Sequence, residues 1–178
     1  MNPDQTADGA DDLSGFEIPD DLSGLSPFGG ETASTPTLAV VLTQVAGAEP
    51  LAAACALAKV SGDVFATSVG AVLVCRELTG GAPARDAAAV SQVVRGVPAI
   101  LVERREGQLT AARFQDGARG DDLPAGLVLD GAPAELEDLL LGATSLADMP
   151  DVLPTDGISR LKAARLLGGF ARKMRRSS

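Results

Sequence analysis

The residue types able to do chemistry in this 178-residue chain are few, and the missing ones narrow the choice first. There is no His, Trp or Tyr. No imidazole can therefore act as a general base, and neither a Ser-His or Cys-His dyad nor a His-containing zinc, copper or haem site can form. Cys55 and Cys75 lie in the apolar stretches AAACALA and AVLVCREL. Their spacing is not that of a Cys-x-x-Cys redox pair and two thiols alone cannot hold a structural zinc, so both read as small core hydrophobes. Thr79-Gly80-Gly81 precedes a helix, as a phosphate loop does, but lacks both the GxGxxG pattern and the Walker lysine. It reads as a surface loop. Asp121-Asp122 and the group Glu135, Glu137 and Asp138 offer oxygen ligands without calcium-loop spacing. They read as solvated acids and helix N-terminal charges, and no catalytic residue, cofactor or metal is assigned.

The charge layout says more. The net charge of −9 divides unevenly: residues 1–36 carry eight acids and no base, residues 37–157 sixteen acids and eight bases, and residues 158–178 seven bases and no acid. Such a polarised chain offers its two ends to different partners. On a helical projection of residues 158–178 at 100° per residue, Ala163, Leu166, Leu167, Phe170, Ala171 and Met174 fall within about 80–220°. Lys162, Arg165, Arg172, Lys173, Arg175 and Arg176 take the opposite side, and only Ile158, Arg160 and Leu161 break the segregation. A basic amphipathic helix of this kind lies on an anionic membrane, docks into a partner groove, or covers phosphate backbone. The competing reading is a helix that packs its apolar face on the domain and shows its basic face to water. Gly168 and Gly169 each weaken the isolated helix by about 1 kcal/mol relative to Ala, which favours folding on binding.

At the other end, Asp11-Asp12-Leu13-Ser14-Gly15-Phe16 repeats as Asp20-Asp21-Leu22-Ser23-Gly24-Leu25. Residues 1–36 are too poor in apolar side chains to offset the entropy of ordering and are expected to be a disordered acidic arm. Within it Leu13, Phe16, Leu22 and Leu25 form a candidate linear docking motif, steered by the neighbouring carboxylates.

The elements that must carry these ends lie between them. Leu38 to Val45, Val69 to Arg76, Ala99 to Val102 and Leu109 to Phe114 read as strands, aliphatic and β-branched. Glu49 to Val60 and Arg85 to Arg95 read as helices between them, and Ala134 to Leu141, opened by Pro133 and closed by Gly142, as a third. Leu127-Val128-Leu129 suggests a further short strand, and 143–157, with Pro150, Pro154 and Gly157, a linker. The predicted fold is an α/β or α+β domain over 37–142, with a small sheet of about four strands in βαβαββ order, flanked by helices.

The expected function follows from the ends rather than from a catalytic centre. It is a non-enzymatic adaptor or regulatory interaction module, docking through the basic helix and through the acidic arm. A protein partner and an anionic membrane surface come first, with nucleic acid behind them because aromatic residues for base stacking are scarce. The alternatives are a homo-oligomeric subunit using the Ala/Val surface of the domain, and a small-ligand or anion-binding domain around Thr79 to Arg85 and Arg113. MNPDQTADGADD lacks the basic and apolar regions of a secretory signal, and no apolar run is long enough to span a bilayer. The expected location is the cytoplasm, at the inner face of the membrane when docked.

Overall fold

Alternating aliphatic residues, Ala39 and Val41 on one side and Val40 on the other, make the strand at Leu38–Leu42 two-faced, and all three side chains are fully buried. A strand with both faces apolar needs a layer of helices on each side. The computed structural model describes residues 34–176 and shows such an arrangement. Chain order is β1 (Leu38–Leu42), α1 (Ala48–Ala58), β2 (Gly62–Thr67), β3 (Gly70–Cys75), α2 (Ala82–Val93), β4 (Ala99–Arg105), β5 (Gln108–Gln115), β6 (Ala118–Leu123), α3 (Ala125–Asp130), α4 (Ala134–Leu141), a 3-10 turn (Leu146–Asp148), β7 (Leu153–Pro154) and α5 (Arg160–Arg176).

The strands form one seven-stranded sheet in the order β6-β5-β4-β1-β3-β2-β7, with every pairing antiparallel. Its centre, β4-β1-β3-β2 with helices after β1 and β3, is the split β-α-β pairing of ferredoxin-like sheets, a scaffold that hosts many unrelated functions. One core lies between the sheet and α1 and α2, where Val41, Leu73, Leu101 and Phe114 meet Leu51, Cys55, Ala87 and Val90. The other lies between the opposite face and α3 and α4, where Val40, Phe65, Val72 and Val102 meet Leu136, Leu139 and Leu140.

The sheet is larger than the four strands predicted from the sequence. β2 joins because Val64 and Phe65 are buried on opposite faces, β6 because the β5 hairpin carries it into register, and β7 because two residues pair with Asp63 and Val64. Leu127-Val128-Leu129 is not a strand but half of α3, a six-residue helix between Pro124 and Gly131. The stretch read as a linker holds the 3-10 turn and β7. The acidic arm, with Leu13, Phe16, Leu22 and Leu25, lies outside the described residues.

Candidate functional site

The basic helix α5 is positioned by the segment before it. Thr155, only 3% exposed, donates its hydroxyl to the Val60 carbonyl at 2.9 Å and accepts the Gly62 N–H at 2.9 Å, while its own N–H reaches the Gly62 carbonyl at 2.9 Å. One residue on, Asp156 accepts from Ser61 Oγ at 3.0 Å and pairs with Arg76, which also holds Asp63 at 2.8 Å. The Arg76 guanidinium is held protonated above its ordinary range by its hydrogen bond to Asp63. Exposed ion pairs of this kind stabilise little individually, but here they sit beside a buried hydroxyl that fixes the register. Residues 153–156 are thus fastened to the end of β2, and Ile158 packs against the α1 core.

Ser159 then starts the helix, its hydroxyl accepting the Lys162 N–H at 3.3 Å and its carbonyl the Ala163 N–H at 2.9 Å. α5 runs against α1. Ala163, at the middle of the apolar stripe, is fully buried, Leu166 and Leu167 are half-buried, and Lys162, Arg165 and Arg172 face water. Leu161 is 64% exposed beside these cations. Among the described residues none of Arg160, Lys162, Arg165 and Arg172 has an ion-pair partner. Arg160 and Lys162 stand in the first turn, where the helix dipole disfavours positive charge, so they do not serve helix stability. The side chains of Phe170, Lys173, Met174, Arg175 and Arg176 lie outside the described residues. α5 has 17 residues and α1 has 11, roughly 25 Å against 16 Å, so α5 is longer than the helix it packs on.

The other sequence candidates fall elsewhere. Cys55 and Cys75 are buried free thiols in the α1 core. Burial pushes Cys55 up to about 12 and raises Cys75 as well, with Asp86 adding to both, so each thiol stays neutral. In the Thr79-Gly80-Gly81 loop the Thr79 N–H donates to Glu77 Oε1 at 2.9 Å, and the Thr79 hydroxyl donates to the same oxygen. The loop is thus closed locally by a carboxylate two residues before Thr79, and these bonds hold Glu77 below the usual carboxylate range. Arg113 donates to Gln115 Oε1 at 2.7 Å on β5. Asp122 pairs with Arg119 at 2.6 Å along β6. Among the described residues no three Cys, Asp or Glu side chains converge to hold a metal, and no helix is long and apolar enough to cross a membrane.

A cleft not expected from the sequence lies on the opposite face. Leu42, Ile100, Leu123, Leu127, Val128 and Leu136 are among the residues lining a space of ≈ 350 Å³ beneath α3, and none of its lining side chains is polar. α3 has no buried residue, and Leu127 is 71% exposed at this cleft. The signal for it in the sequence was Ala125-Gly-Leu-Val-Leu129, an apolar run too short to bury itself. No protein-family model, curated protein or solved structure matches the chain.

Proposed function

We propose that this protein is a non-enzymatic interaction module, an adaptor or regulator, that docks through the basic face of α5 onto a negatively charged surface. The observation that carries the reading is the seating of the helix: Ala163 is sealed against the domain while Lys162, Arg165 and Arg172 project outward without carboxylate partners among the described residues. A helix held only for its packing gains nothing from cations at its positive end, whereas an anionic surface is attracted to all of them at once. Leu161, exposed among the cations, adds the apolar contact that interfacial helices place at the headgroup boundary. An anionic membrane at the inner face of the cell is the first such surface to test.

The variant Lys162→Glu/Arg165→Glu/Arg172→Glu changes only exposed positions, so its thermal transition should match the parent. Its binding to phosphatidylserine-containing vesicles should fall at least tenfold, at about 1 kcal/mol for each charge near the surface. Unchanged vesicle binding by this variant would remove α5 as the docking element.

A further inference from the structure

We infer that the aliphatic cleft beneath α3 receives the distal turns of α5 from a second copy of this chain. The inference rests on the reading of α5 as a docking helix and names a partner for it. Three observations converge on the cleft. It is lined without a polar side chain, on the face of the sheet opposite α1 and α2. The helix above it is apolar yet has no buried residue, with Leu127 71% exposed. Its rim is acidic: Asp130 and Glu135, both exposed, adjoin the lining residues Gly131 and Leu136, and Asp121 stands two residues before Leu123. The chain from 120 to 157 holds nine acids and no base. One base, Arg113, stands opposite Ile100 by register and donates to the neutral Gln115, so it keeps its charge against the acids of the 120–157 stretch.

An apolar cleft with an acidic rim fits a helix that carries apolar side chains between cations. The sequence of the distal turns of α5 is of that type, with Phe170 and Met174 continuing the apolar stripe and Arg172, Lys173, Arg175 and Arg176 beside them. α5 cannot serve the cleft of its own copy, because it lies against α1 on the other side of the sheet. The contact is therefore made in trans. It pairs two different surfaces, so it closes into a dimer only if the exchange is reciprocal and otherwise extends into open chains.

The test is light scattering with refractive-index detection on the full chain over a concentration series, at low and at high salt, since the lack of Trp and Tyr defeats absorbance at 280 nm. The parent should associate at low salt and dissociate as salt rises. Leu127→Lys, at an exposed position, should weaken association at least tenfold with an unchanged thermal midpoint, and Phe170→Ala should weaken association at least tenfold as well. Leu127→Lys should leave vesicle binding intact, because it does not touch α5. A parent that stays monomeric at all concentrations and salts, or association that neither substitution weakens, would overturn the inference. Vesicle binding that persists in either case would leave the α5 reading standing alone.

Discussion

Asp86 on α2 is half-buried, and none of the hydrogen bonds among the described residues reaches its carboxylate. Burial raises its pKa from 3.8 to about 6, with Arg85 opposing and Glu77 adding to the rise. In the unfolded chain the same carboxyl ionises near 3.8, so between that pH and about 6 the folded state holds more protons and stability falls as pH rises. Asp86→Asn should therefore stabilise the domain at pH 7 by about 1 kcal/mol, a figure reduced for the solvent that reaches the group. Below pH 4 the gain should vanish, and urea midpoints at pH 7 and pH 4 check both halves. The half-buried setting of Asp86 was not legible in the sequence, because it depends on which residues the fold places together. The cysteines were legible: their aliphatic neighbours in α1 and β3 already implied burial.

Among the elements, legibility followed the amount of apolar surface each one buries. β1, β3 and the first residues of β4 carry long aliphatic runs and are readable from them. β6, Ala118-Arg-Gly-Asp-Asp-Leu123, is exposed along nearly its whole length and has no apolar period; its pairing with β5 and the irregularity opposite Ala112 to Phe114 are properties of the sheet edge. The charged, irregular β6 and the two-residue β7 with Pro154 also blunt the two edges against strand addition. α3 was misread because three apolar residues fit a strand or a helix equally, and only the cap at Pro124, whose carbonyl accepts the Leu127 N–H at 3.0 Å, decides between them. The segment before α5 gives the prediction at this scale. Thr155→Val keeps the volume but leaves the buried Gly62 N–H without its side-chain acceptor, and should cost about 2 kcal/mol. It should also speed proteolysis between residues 143 and 157 relative to the rest of the domain, which limited digestion would show.

Over the whole molecule, the two helical layers differ in charge as well as in position. The cationic helix lies with α1, while the acid-only stretch from 120 to 157 supplies α3 and α4 on the other face. The segment charges were legible by counting; their separation by the sheet was not, because it depends on a strand order with non-consecutive neighbours. The Ala and Val residues that suggested an aliphatic association surface are largely consumed in the two cores. Among the exposed features are the cations of α5 on one layer and exposed acids with Leu127 on the other. The most direct measurement of the docking role is co-sedimentation of the full chain with phosphatidylserine-containing and with purely zwitterionic vesicles, at low and at physiological salt. Binding to the anionic vesicles alone is expected, weakening with salt and lost in Lys162→Glu/Arg165→Glu/Arg172→Glu. Equal binding to both vesicle types, or no binding to either at low salt, would contradict the docking role.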